Sequence, residues 1–350
     1  MTSNLDQSNT KKKSLRIVSS GICCSVGYTA HSASCALRAG MDHFQESEFL
    51  THDGQPVRIA RLPDDQNWGA KRQSRWIEYA LHDCLGRVGP LPDEQLTILL
   101  LSAEQGRPGV EERQAVETAL ISSQSMAITL NTEYSRVWHS GRAGLPILLE
   151  YAYELLQAEK VQHILLIGFD SYLNPSTINH FLQEGRLLVP GNRDGFIPGE
   201  ASAAVLLELS HPDNPGIHIT GWGQGMEEGR PDGSVPSRSM GMTQALRSAF
   251  AQAQVDCNNL AFRLSDQNGE GFFVSDVVNA ITRVALDDGT VPMVLTTADC
   301  VGEVGAATGP LMLAWLSLLM PRRDGPGACG LVHLANDDGL RAAIVLEHQS

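Results

Sequence analysis

Positive charge is scarce in this sequence. Twenty-six Lys and Arg stand against 40 Asp and Glu, a formal charge of -14 over 350 residues. So acidic a chain repels phosphate backbones, which argues against a nucleic-acid partner. The one basic run, Lys11–Lys13, lies in a polar opening and reads as part of a solvated tail over residues 1–13. Long apolar runs are missing as well. The longest, Leu311 to Met320, falls short of the roughly 18 apolar residues a membrane helix needs and reads as a buried helix. The stretch from Ile17 to Val26 follows basic residues as a signal peptide would, but Ser19, Ser20, Gly21 and Ser25 interrupt it and it lacks a convincing cleavage site. Seven cysteines form no CxxC pair and no His/Cys cluster, which argues against structural zinc. Their odd number, without a disulfide-like framework, suits a reducing compartment. These absences lead us to expect a cytoplasmic protein without membrane partner, metal or cofactor.

What is present is apolar and patterned. Hydrophobic residues make up 42% of the chain and charged residues 19%, enough for a substantial core. Short buried-strand runs at Leu15–Ser19, Thr97–Leu101, Ile164–Ile167 and Ala203–Glu208 alternate with helical spacing over Ala30–Arg38, Ser74–Leu85, 111–122 and 145–157. A loop rich in Pro, Asp and Asn (His211–Gly216) separates this from a second series. That series has strands at Ile217–Gly221, Leu260–Leu264, Met293–Thr296, Gly330–Leu334 and Ala342–Leu346. Its helices fall near Met242–Ala253, Phe273–Val284 and Pro310–Leu319. The recurrence predicts mixed sheets covered on both faces and an internal duplication, with halves at 14–210 and 216–348.

Asp194-Gly-Phe-Ile-Pro-Gly-Glu200-Ala, continuing to Glu208, resembles the DGFxxGEGAAxLxLE signature of β-ketoacyl synthases in the thiolase-like superfamily. Val18 to Gly40 is similar to that family's opening strand, turn and helix ending in LRAG. Val291 to Leu319, with Gly305-Ala-Ala-Thr-Gly309, is similar to its VPxxSTKxxxGHxxGAAG segment, and Leu331 to Leu346 to its closing hairpin. The resemblance covers nearly the whole chain from Leu15. It implies a thiolase-like α/β fold, two duplicated α/β halves in a five-layer α/β/α/β/α sandwich, commonly as a homodimer.

Family chemistry is a decarboxylative condensation on a cysteine at a strand-to-helix elbow, assisted by two histidines and a lysine. The resemblance places the cysteine at Arg142 or Ala143, and no cysteine occurs between Cys84 and Cys257. It places the first histidine at Asp266, the second at Glu303 (or Gly302), and the lysine at Ala298. The closing GFGGTN turn reads Asn336-Asp-Asp-Gly-Leu340, without its phenylalanine. Carboxylates at Asp266 and Glu303 would repel an anionic malonyl substrate.

Other constellations carry weaker signals. Ser140 lies at the elbow as an alternative nucleophile, but His139 beside it in sequence points away in any regular backbone. Asp266, Glu270 and Glu303 form either a convergent acidic site or ordinary loop carboxylates; we favour the latter. Trp138, Trp222 and Trp315 read as core or interface aromatics, and Cys23 and Cys24 as packing residues. Gly221-Trp-Gly-Gln-Gly225 lacks the spacing of a dinucleotide loop. The expectation is a catalytically inactive ketosynthase-like protein that binds another protein as an adaptor or accessory subunit. Degenerate family members beside bacterial type VI secretion effectors offer one such setting. The alternatives are a chain-length-factor-like partner of an active synthase, and an acyltransferase with a non-cysteine nucleophile.

Overall fold

The computed structural model describes residues 13–63, 67, 69–110, 113–121, 129–211, 213–285 and 292–350. Most of the expected tail, with Lys11, lies outside them, as does the end of the helix expected at 111–122. Lys13 is described, and its Nζ sits 2.6 Å from Glu150 Oε1, an exposed pair of little energetic weight. No helix among the described residues is long and apolar enough to cross a membrane.

The first half contains β1 (Leu15–Cys24), α1 (Ala30–Arg38), β2 (Phe44–Leu50), β3 (Pro56–Ala60), α2 (Gly69–Leu85), β4 (Leu96–Leu101), α3 (Arg113–Ile121), β5 (Arg136–Trp138), α4 (Leu145–Gln157), β6 (His163–Ser171), α5 (Pro175–Gln183) and β7 (Glu200–Leu209). The second contains β8 (Gly216–Met226), α6 (Met240–Ala253), β9 (Phe262–Ser265), α7 (Gly271–Val284), β10 (Met293–Thr296), α8 (Ala298–Val301), α9 (Thr308–Leu319), β11 (Cys329–Ala335) and β12 (Leu340–Gln349). The hairpin β2–β3, the short β5, α5 and the four-residue α8 are not among the expected elements. β2, β5 and α8 are polar or brief, and α5 carries only a short apolar stripe, Ile178 and Phe181.

The duplication shows in the topology. In the first half β1 pairs antiparallel with β7 and β7 antiparallel with β6, while β6–β4 and β4–β5 run parallel. The second half repeats this order and these directions as β8–β12–β11–β9–β10. A short antiparallel contact, Leu15–Ile17 against Ile217–Ile219, joins the two sheets. Helices α4 and α9 fill the space between the sheets, where Leu148, Leu149, Leu313 and Leu316 meet Leu166 and Val205 from one sheet and Leu264 and Val332 from the other. Every residue of α9 from Thr308 to Leu316 is buried, the mark of a helix apolar on all sides. Helix α2 covers the outer face of the first sheet, and α6 with α7 cover that of the second. Five layers result, with α4 and α9 as the middle one.

The signature around Asp194 serves this scaffold. Asp194 Oδ1 accepts the Gly271 N–H at the start of α7 at 2.6 Å, Phe196 is buried, and Glu200 is ion-paired with Arg72 while accepting the Leu62 N–H at 2.9 Å. Trp315 lies in the middle layer, Trp222 joins that core from β8, and Trp138 packs against it. Cys23 and Cys24 are buried on β1, where burial pushes the Cys24 thiol up to about 12 and makes it an unreactive packing group.

The run Gly221-Trp-Gly-Gln-Gly225 is a strand and not a loop. A Cβ at Gly221, Gly223 or Gly225 would lie 2.2, 2.3 or 2.2 Å from the carbonyl oxygens of Ala249, Ala245 and Gly241, so this bare face is what lets α6 lie close against the sheet. We expect Gly223→Val to lower stability by about 1–3 kcal/mol, because backbone cannot step aside as a side-chain tip does. Gly89→Ala, whose Cβ would meet open space, should change it by less than about 0.5 kcal/mol. Urea unfolding of both variants checks this, and equal midpoints would refute the packing argument.

Candidate functional site

After β5 the chain turns at Gly141 (φ 58°), a left-handed conformation that favours glycine, into a 3₁₀ turn over Arg142–Gly144 that opens α4. A side chain there would also strike the Glu104 carboxylate, whose Oε1 is 2.1 Å from the position of a Cβ. This elbow aims Arg142 into the middle layer, where it is 5% exposed. Loops from the second half close around it. Arg142 Nη1 donates to Glu303 Oε2, its Nε donates to the Ala335 carbonyl and lies 3.3 Å from Asp266 Oδ2, and its guanidinium sits 5.1 Å from the centre of the Phe273 ring.

Both carboxylates have further partners. Glu303 Oε1 accepts the Gly305 N–H at 2.9 Å and its Oε2 accepts Asn268 Nδ2 at 2.8 Å, while Asp266 Oδ2 accepts the Ala335 N–H at 2.6 Å. The next amide, Ala306 N–H, donates to Asp170 Oδ2 at 2.9 Å, and Asp170 in turn accepts Arg107 Nη2. The amino end of α9, with the short turn Gly305–Ala307 before it, thus faces two carboxylates, each with its own arginine. Anions suit this end of a helix and cations do not. A further ring lies beside the cluster: Arg186 bonds Glu270 at 2.7 and 3.0 Å and Asp337 at 2.8 and 3.0 Å, and Arg341 Nε bonds Asp276 at 2.7 Å.

Asn336 completes the closure. Its Oδ1 accepts the Ala143 N–H at 2.8 Å and its Nδ2 donates to the Ser140 carbonyl at 2.7 Å. Because Ala143 N–H can only donate and the carbonyl can only accept, the amide orientation follows from its partners.

Arg142, Asp266 and Glu303, assigned by resemblance to the nucleophile and the two histidines, therefore come together. Ala143 is buried beside Arg142 and contributes its backbone N–H. Gly302, the other slot for the second histidine, has no side chain to offer. Ala298 opens α8 with only a methyl group. Ser140 Oγ is buried without a hydrogen-bond partner among the described residues, and His139 Nε2 turns to Glu117 Oε2 at 3.0 Å. No serine–histidine pair forms.

Two expectations change. Asp266, Glu270 and Glu303 are neither an open acidic site nor ordinary loop carboxylates: each is buried and ion-paired, two of them to Arg142 and one to Arg186. Local charge is compensated too, because Arg142 stands between Asp266 and Glu303. The sequence reading noted the cation and both acids but did not join them. A cation and two acids at three positions assigned to one site was the available signal. Burial pushes the Asp266 carboxyl up to about 6 although Arg142 pulls it down, and burial likewise raises Glu270 against the pull of Arg186. Burial and the neighbouring carboxylates act oppositely on Arg142, and Glu303 and Asp266 prevail, so it stays charged.

No protein-family model matches the chain, and no curated protein sequence does. Solved structures do match. A chain of AntDE:AntF, a type II PKS acyl-carrier protein in complex with its ketosynthase, aligns over 97% of this chain and 100% of its own (TM-score 0.75, 13% identity). The ishigamide ketosynthase/chain length factor covers the same shares (0.73, 15%), as does a β-ketoacyl synthase from Burkholderia phymatum STM815 (0.69, 19%). The fold is the thiolase-like fold of ketosynthases and chain length factors.

We expect Arg142→Met to cost about 3–5 kcal/mol, since it strands two buried carboxylates. Adding Asp266→Asn and Glu303→Gln should recover most of that loss. A triple variant as unstable as the single one would refute the charge argument. The raised Asp266 pKa also sets a sign. The folded state holds an extra proton between 3.8 and about 6, so this stabilisation is present below 3.8 and is lost as pH rises through 6. Asp266→Asn should flatten that segment of the stability–pH profile, measured by urea unfolding.

Proposed function

We propose that this chain is a non-catalytic ketosynthase-like scaffold that acts by binding another protein, as an adaptor or accessory subunit. The observation that carries this reading is the closed cluster of Arg142, Asp266, Glu303 and Asn336. A guanidinium stays protonated and is no nucleophile. Acyl transfer needs free donors aimed at a developing oxyanion, and the elbow N–H of Ala143 is already bound by Asn336. Asp266 and Glu303 are tied to Arg142 and to backbone amides, which leaves neither free to move a proton. Condensation by the family route has no groups left to perform it.

Support for a protein partner comes from the neighbours. Among them are ketosynthases with a chain length factor or an acyl-carrier protein. By that analogy this chain works in the cytoplasm as a homodimer or as one half of a heterodimer. A chain-length-factor-like role predicts that an active synthase co-purifies. An adaptor role, of the kind found beside type VI secretion effectors, predicts an effector-like partner or homodimers alone.

The test is intact-protein mass spectrometry after incubation with acyl-CoA and acyl-carrier thioesters, with Ser140→Ala as control. We expect no adduct. A stoichiometric acyl adduct mapped to residues 138–145 would overturn the reading, and its loss in Ser140→Ala would assign the nucleophile.

A further inference from the structure

Arg72, Arg142 and Arg341, all buried, each meet a carboxylate. Arg263 is as deeply buried, at 5% exposure, and has no ion pair among the described residues. Its Nη1 lies 3.2 Å from His333 Nε2, and its Nε has no hydrogen-bond partner. His333 does not supply the missing charge: burial, with Arg263 beside it, holds its pKa down to about 3, and its Nδ1 is also unpartnered. Among the described residues no carboxylate offsets this charge, and a buried guanidinium is costly without one, so the site favours an anion brought from outside.

The surroundings indicate what brings that anion. On β9, Phe262 and Leu264 face the middle layer, so strand alternation turns Arg263 to the outer face, beneath α7. The parallel register sets Arg263 beside Val294 of β10 and Leu331 of β11, and Leu331 belongs to the outer core. Strand β10 ends the sheet, so its far edge has no strand partner among the described residues. Helix α7 sends Asp276 to Arg341 on β12, which defines the flank facing α6. At about 100° per residue, Val274 and Val278 fall on the opposite flank, toward β10. These two are 37% and 45% exposed, and Val294 is 40% exposed. Among the described residues, a strand edge without a strand partner and a buried cation without an ion pair thus lie together with an apolar strip.

We infer that this edge docks an acidic extended segment of a protein partner, whose backbone pairs with β10 and whose carboxylate reaches the Arg263–His333 pair. Charge complementarity selects the carboxylate, and the free edge with its valines selects a peptide over a small anion. The inference rests on the protein-binding reading and names the chemistry of the partner.

The test uses the full chain, an acetylated pentapeptide alternating Val and Glu, its Gln counterpart, and inorganic phosphate. Binding is followed by calorimetry and by the ¹⁵Nε resonance of Arg263. We expect the Glu peptide to shift that resonance and to bind at least tenfold more tightly than the Gln peptide. Arg263→Met should abolish the preference while Tm holds or rises, and Arg263→Lys should retain part of it. Equal binding of both peptides, or a phosphate response as strong as that of the Glu peptide, would overturn the inference. A lower Tm in Arg263→Met with the peptide preference unchanged would do so as well. Failure here without an acyl adduct at the elbow leaves the non-catalytic reading intact, whereas an adduct together with peptide binding overturns that reading alone.

Discussion

Burying the Arg142 charge in the middle layer sets the terms for everything around it. The side chain enters at the amino ends of α4 and α9, where the helix dipoles disfavour a cation, in a layer otherwise packed with leucine and alanine. Such a charge persists only if anions are brought to it. Glu303 meets both needs, since one oxygen takes the Arg142 charge and the other accepts the backbone N–H of Gly305. Asp266 supports it from the other side, with the Ala335 N–H holding its carboxylate in place. Burial raises the Asp266 pKa, with Glu303 adding to the rise, against the pull of Arg142 and the Ala335 N–H.

The cluster also joins the two halves. Arg142 and Arg186 come from the first half, and the acids closest to them, Asp266, Glu303, Glu270 and Asp337, come from the second; Glu184, 3.7 Å from Arg186, is the exception from the first half. Asn336 crosses the same boundary to Ser140 and Ala143. A catalytic site at such a junction needs groups free to approach a substrate and exchange protons. Here Arg142, Asp266, Glu303 and Asn336 bond partners across the boundary, as a clasp would. Buried ion pairs add little net stability over apolar packing, yet they are demanding about geometry. They therefore specify how the halves meet more than how strongly.

Much of the architecture was legible because apolar periodicity is local. Thr97–Leu101 and Met293–Thr296 read as strands because each is a short apolar run broken only by a terminal threonine. The helix at 145–157 announced itself by spacing, and Pro310–Leu319 by being apolar almost throughout. Elements without that signal escaped. β5 is three residues long, β2 alternates polar side chains on an exposed hairpin, and α5 begins at an Asn174 cap followed by Pro175. The packing role of the β8 glycines could not be read from the strand itself, because their partner α6 (Met240–Ala253) lies further along the chain.

The sequence by itself determined the order of elements, the repeated plan of the halves, and which residue types stand where a ketosynthase-like chain holds its cysteine, histidines and lysine. The resemblance assigns those places to Arg142 or Ala143, Asp266, Glu303 or Gly302, and Ala298. Only the tertiary structure decided what Arg142, Asp266 and Glu303 do. They lie up to 161 positions apart in the chain, and whether opposite charges neutralise each other depends on separation and on exclusion of water, neither of which a linear pattern carries. For the same reason the structure alone separated Arg263 from the other buried arginines. A counter-ion, or the want of one, is a property of space.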